Sequence, residues 1–318
     1  MPSRAACGQN SSVEPTIFDP QCHPLVDTVS DEVNGYFLKH WGFETERSRM
    51  KFVSAGFPRV TYVLEYMSLS EGSKYNEKLI KIAQADILPD RSVPVEYIMY
   101  DLWESMRSHD RELANCVLEP MFTFMRAQTD KARLEPMNLE EYFQYREKDV
   151  GKALLSSLMR FSMGLHVTPQ ELELSRPVEM NCSKNISVIN DIFSYEKEVI
   201  AAAEGHEEGG FLCSSVPIVA SESGVDIEEA KRILLSMCRE WEVHHNTLIK
   251  KIEAKSQSPA LASYLKGLES ITMRYIDNIV GITEKMLGKT TLLRKLSVQY
   301  ILLQQILIAS DFDLELGT

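Results

Sequence analysis

The sequence predicts an all-α protein, on three observations. Apolar residues recur at i, i+3, i+4 and i+7 in stretch after stretch, the alternating runs of exposed strands do not occur, and nothing alternates strand with helix as βαβ units do. At 318 residues and 44% hydrophobic content, the chain has the apolar mass for one large core or two smaller ones. No linker divides it. Residues 1–20 read as a disordered lead-in rich in Ser and Pro, 21–288 as one helical domain, and 289–318 as a helical tail whose apolar positions crowd together instead of forming one stripe.

Each element follows from local pattern. In "SDEVNGYFLKHW", Ser30 is the expected cap, and Val33, Tyr36, Phe37, His40 and Trp41 share one face. Behind Pro94, the residues Val95, Ile98, Met99, Leu102, Trp103 and Met106 repeat the pattern, and Leu113, Val117, Met121 and Phe124 form another stripe. In "LEEYFQYREKDVGKALL" the stripe runs through Leu139, Phe143, Val150 and Leu154. Thr168-Pro169 with Glu171 is a capping box ahead of a long helix that takes in "SVINDIFSYEKEV", residues 187–199. The glycines of "EGHEEGGF", 204–211, mark a surface loop. Asp226 opens a helix through Trp241, and Ser258-Pro259 opens one more.

Composition narrows the function. Lys and Arg number 34 against 46 Asp and Glu, a net charge of −12, which repels nucleic-acid backbones and acidic lipid surfaces; nucleic-acid binding is excluded as a general activity. A small anionic substrate is not, because a local positive pocket or bound cations override the average field. The six cysteines show no C-x-x-C pair and read as free thiols of a reducing compartment. "MPSRAACGQN" lacks the apolar core of a signal peptide, and "YILLQQILIA", 300–309, is too short and polar to span a bilayer, so the expectation is a cytoplasmic chain without stable membrane insertion.

Two polar features sit on apolar stripes. Asn190, Ser194 and Glu198 follow one another at a spacing of four, about 40° apart around the helix, beside Ile186, Ile189 and Phe193. An amide, a hydroxyl and a carboxylate are oxygen donors that suit a hard cation such as Mg2+ better than zinc, and Lys197 falls near the same face. Hydrogen bonding among the three on a solvated face is the alternative. Arg146 lies on the apolar stripe seven residues after Leu139, and a guanidinium there needs an anion: an internal Asp or Glu, or a bidentate clamp on a phosphate or diphosphate. Taken together, the two features suggest a Mg2+–diphosphate site. Phe124 reads first as core packing and second as an aromatic face able to stabilise a carbocation.

These residues carry a resemblance. "NDIFSYEKE" resembles the N-D-x-x-S-x-x-K-E metal motif of microbial class I terpene cyclases. "YDLWESMRSHDRELANCVLEPMFTFMRAQTDKARL", "YREKDVGKALLSSLMRFSMGL" and "EGGFLCSSV" are similar to fungal sesquiterpene cyclases of that family, over about Asp27 to Glu269. The resemblance implies a class I helical bundle that binds farnesyl diphosphate through three Mg2+ ions, ionises it and cyclises the allylic cation to aristolochene or a related bicyclic sesquiterpene. It also implies a homo-oligomer. By position it gives Asn190, Ser194 and Glu198 as the ligands of one Mg2+, Arg146 and Lys197 as diphosphate contacts, and Phe124 as an aromatic of the cyclisation pocket.

The chain departs from the family twice. The second metal motif, D-D-x-x-E, belongs upstream of "LEYMSLSEGSKYNEKLI", but "FPRVT" at 57–61 runs straight into "YVLEYM", and no Asp-Asp pair occurs anywhere. Glu65 stands at the motif's final acid, with Thr61 and Tyr62 in place of the aspartates, so one core helix region and two of the three metal sites are missing. After "YLKGLE", 264–269, the family's terminal Arg-Tyr pair has no matching place: Arg274-Tyr275 comes too early and "KTTLLR", 289–294, lacks the Tyr. The competing expectations are a working cyclase, an impaired one giving linear products, and a noncatalytic diphosphate-binding helical protein.

Overall fold

Residues 26–41, 43, 45, 46, 49, 50, 68–203 and 212–269 are described by a computed structural model of the chain. Among these residues every regular element is helical. In chain order they are α1 (Val26–His40), α2 (Leu69–Ala83), α3 (Pro94–His109), α4 (Arg111–Ala127), α5 (Leu139–Asp149), α6 (Lys152–Ser162), α7 (Pro169–Ala203), α8 (Ser215–Ser223), α9 (Ile227–Glu253) and α10 (259–269). The lead-in 1–20, the loop 204–211, the tail 289–318, and Thr61, Tyr62, Glu65, Arg274 and Tyr275 lie outside the described residues.

Local chemistry sets most boundaries. Pro94 occupies the first turn of α3, Asp110 caps α4 by accepting from the Leu113 amide, and Asn138 with Glu141 closes a capping box on α5. The expected box at Thr168 forms, with the Glu171 carboxylate accepting from the Thr168 amide at 2.8 Å. Three expectations need correction. α1 begins at Val26, a turn before Ser30, so Ser30 lies inside the helix and is not its cap. α9 does not stop at Trp241 but continues to Glu253, since Leu248 and Ile252 keep the apolar period going. The stripe from Leu139 to Leu154 is not one helix: α5 ends at Asp149, and Gly151, with φ of +71°, turns the chain into α6.

The 35-residue α7, roughly 50 Å long at 1.5 Å per residue, is the spine of the bundle. Ile186 reaches a core shared by α2, α3, α4 and α6; Val188, Ile189 and Ile192 meet α8 and α9; Val178 and Cys182 meet α6, the end of α9 and α10. Along the α9 contact, the side-chain amides of Asn181 and Asn185 donate to the carbonyl oxygens of Trp241 and Cys238. Below the site, Lys152 of α6 and Tyr264 of α10 both donate to Glu179 of α7. Burial works against the charge on Glu179, but Lys152 and these hydrogen bonds outweigh it and hold the carboxyl below its ordinary range. No helix among the described residues is long and apolar enough to cross a membrane.

Candidate active site

The site gathers where the C-terminal half of α7 meets α5 and the first turn of α8. Asn190, Ser194 and Glu198 stand on successive turns of α7, each half-buried, next to the fully buried Ile186 and Ile189. Ser194 donates its hydroxyl hydrogen to the Asn190 carbonyl at 2.6 Å, which leaves the lone pairs of its oxygen for another partner. The side chain of Lys197 lies outside the described residues.

Arg146 comes across from α5, its side chain 11% exposed, and the structure brings it onto the first member of the triad. One terminal nitrogen, NH2, donates to Asn190 Oδ1 at 2.9 Å and to Asp191 Oδ1 at 3.3 Å. The other, NH1, donates to Asp149, and Nε donates to the Tyr142 hydroxyl at 3.0 Å. A guanidinium carries five N–H donors, so these four bonds leave one uncommitted. The internal ion pair weighed as one fate of this arginine is therefore present, and so is contact with the triad.

Asp191 is 0% exposed and is the hub of the cluster. Besides Arg146, it accepts from the Tyr142 hydroxyl, from the Ser215 amide at 2.8 Å and from the Ser215 hydroxyl at 2.6 Å. Burial and the Asp191 charge push the Tyr142 phenol well above its ordinary pKa, so it stays a donor. Burial disfavours the Arg146 charge, yet Tyr142, Asp149 and Asp191 more than compensate and the guanidinium holds its proton more tightly than usual. Cys213, beside the same cluster, has its thiol pushed up to about 11 by burial.

These charges limit the chemistry. Although Arg133 adds a positive charge beside Cys213, Arg146 faces the Asp149 and Asp191 carboxylates, so these three groups by themselves carry no spare positive charge to draw in a multivalent anion. Cations can supply it, and the triad has the donors for one: Asn190 Oδ1 already accepts from a cationic group and the Ser194 lone pairs remain, both hard oxygens. Among the described residues no group of three or more His, Cys, Asp or Glu side chains could hold a metal ion, so a metal here relies on an amide and a hydroxyl beside the single carboxylate of Glu198.

Phe124 lies apart from this cluster: it is 3% exposed within the first core, packed with α2, α3, α6 and Ile186 of α7. Sequence reading missed Tyr142, Asp149, Asp191 and Ser215. Asp191 directly follows Asn190, but an acid beside a half-buried amide reads equally well as a solvated one, and only the fold shows that it points inward.

A family profile described as terpene synthase family 2, C-terminal metal binding, matches residues 63–243, more than half of the chain. The chain is 54% identical over 291 positions to an aristolochene synthase of Aspergillus terreus, covering 82% of this chain and 91% of that one. It is 49% identical over 283 positions to an aristolochene synthase of Penicillium roqueforti, covering 80% and 83%. Because 82% of 318 residues is about 261, the 291-position alignment includes about 30 positions with no residue of this chain. The crystal structure of the Penicillium roqueforti enzyme superposes with a TM-score of 0.73 at 45% identity, covering 84% of this chain and 98% of that chain. A hedycaryol synthase complex shares the fold at a TM-score of 0.64 and 14% identity, covering 84% and 99%.

Proposed function

Because the chain belongs to the terpene synthase family, we propose that it is a sesquiterpene cyclase by descent, built to ionise farnesyl diphosphate and close the hydrocarbon into aristolochene or a related bicyclic product. The observation that supports this reading is the hydrogen bond from the Arg146 guanidinium to Asn190 Oδ1, a cationic fork beside a hard oxygen donor, which suits a diphosphate held together with a cation. Asn190, Ser194 and Glu198 would hold one Mg2+, and bound Mg2+ supplies the positive charge that makes diphosphate a stable leaving group. The residues of the chain do the rest. Arg146, with Lys197, binds and orients the diphosphate oxygens, and the apolar walls, Phe124 among them, exclude water that would quench the cation. The expected setting is cytoplasmic, with a homo-oligomeric assembly.

A second reading has its own support. The chain has no Asp-Asp pair, and its alignment with the Aspergillus terreus relative includes about 30 positions at which this chain has no residue. Without those aspartates, two of the family's three Mg2+ sites lack their ligands. The cyclase is then impaired, giving linear or early-quenched products, or retains only diphosphate binding. One assay separates the outcomes: purified protein is incubated with farnesyl diphosphate and Mg2+, and volatile products and released diphosphate are measured. Aristolochene as main product supports full cyclase chemistry, linear alcohols support the impaired form, and absence of diphosphate release leaves the binding role alone.

A further inference from the structure

The Asp191 carboxylate is the one group in the cluster that touches three helices. It sits on α7, receives Arg146 and Tyr142 from α5, and receives both the amide and the hydroxyl of Ser215 from the first turn of α8. A fully buried carboxylate with four donors is neither a surface acid nor a ligand waiting for a cation, because its lone pairs are spent inside the protein. Its partners fix the arginine. Nε is held through Tyr142, itself bonded to Asp191, and one NH2 hydrogen goes to Asp191 directly. With Asp149 on NH1, three of the five N–H groups are tied to buried partners, which sets both the plane and the position of the guanidinium. The remaining bond, to Asn190, is made to an exchangeable partner: when that amide oxygen is given to a cation, an N–H is released toward the same space.

We propose that Asp191 is the positioning residue of Arg146: its carboxylate locks the guanidinium to α7 and to the first turn of α8, so that the N–H groups on the Asn190 side meet the diphosphate already oriented. The inference rests on the diphosphate-binding reading given above. It differs from a stabilising role in that Asp191 acts on ligand affinity through Arg146 and not through the fold as a whole.

The test is a double-mutant cycle read by calorimetry, with inorganic diphosphate and Mg2+ titrated into the wild type, Asp191→Asn, Arg146→Lys and the double variant. Asp191→Asn turns an amide NH2 toward donors and frees the arginine plane. We expect at least about a tenfold loss of diphosphate affinity in the wild-type background and less than about threefold in the Arg146→Lys background, where the fork is already gone. Equal losses in both backgrounds, or a lowered unfolding temperature with unchanged affinity, overturn the proposal while leaving the diphosphate reading in place. A wild type that takes up no Mg2+-diphosphate overturns both. If Asp191→Asn does not fold, Tyr142→Phe and Ser215→Ala run the same cycle, since each removes one bond to the carboxylate and keeps its charge.

Discussion

Arg146 shows how much one residue can disclose. A permanent charge on an apolar stripe is costly enough that the sequence alone demands a buried anion, and the structure supplies Asp149 and Asp191 as well as the contact with Asn190. Asn190, Ser194 and Glu198 were legible for a similar reason, as oxygen donors recurring with the period of a helix face. Glu198 provides the sharpest test among them, because it is the only carboxylate of the triad and so its only full negative charge. Glu198→Gln keeps the shape and removes that charge. Calorimetry with Mg2+ and inorganic diphosphate should show affinity reduced at least about tenfold. Unchanged affinity would remove Glu198 from the ligand set. Asp191 and Asp149 were not legible, since an acidic residue on a helix is ordinarily solvated and its inward direction depends on helices distant in sequence.

Helices that begin with a cap and carry an apolar period were readable almost to the residue, whereas their ends and breaks were not. The α5–α6 break was hidden because Val150 and Leu154 happen to continue the period of Leu139 and Phe143, so periodicity reports a face and not continuity. Gly151 is the residue that makes the break, at φ of +71°, and Gly151→Ala should cost about 1 kcal/mol, a fall of ~2 °C in unfolding temperature measured by calorimetry. The α7–α9 contact carries a pH dependence that no pattern announces. His245 of α9 is 1% exposed beside Cys182 of α7, and burial, with His244 adding to it, lowers its pKa to about 4. In the unfolded chain the same imidazole takes a proton near 6.5, so its contribution is complete above that pH and is lost as pH falls from 6.5 toward 4. Urea unfolding at about pH 7 and about pH 4.5 should differ by up to ~3 kcal/mol from this group, and His245→Asn should remove most of that difference.

At the scale of the whole molecule, the described helices form a terpene synthase bundle, and on the proposed reading the question is whether one set of Mg2+ ligands turns over. The spine α7 carries Asn190, Ser194 and Glu198, the α5–α8 side supplies Arg146, and the superposition on a relative at a TM-score of 0.73 places the helices on a catalytic fold. On the proposed reading, losing two of the family's three Mg2+ sites is a different order of loss from a changed side chain, because the positive charge that stabilises a departing diphosphate is the largest contribution to ionisation. Removing a core helix also takes away a wall against water. Turnover should therefore lie far below that of an intact relative, and it should be recoverable. Replacing residues 61–64 with the relative's corresponding segment, so that its two aspartates are restored and Glu65 completes the D-D-x-x-E motif, should raise diphosphate release from farnesyl diphosphate by at least ~100-fold, a barrier lower by about 3 kcal/mol. The same replacement with both aspartates changed to asparagine rebuilds the wall without the ligands, and should shift products toward cyclic hydrocarbons with little gain in rate. Equal rates from the two replacements would assign the defect to the missing wall, and near-normal turnover by the unaltered chain would show that Asn190, Ser194, Glu198 and Arg146 suffice.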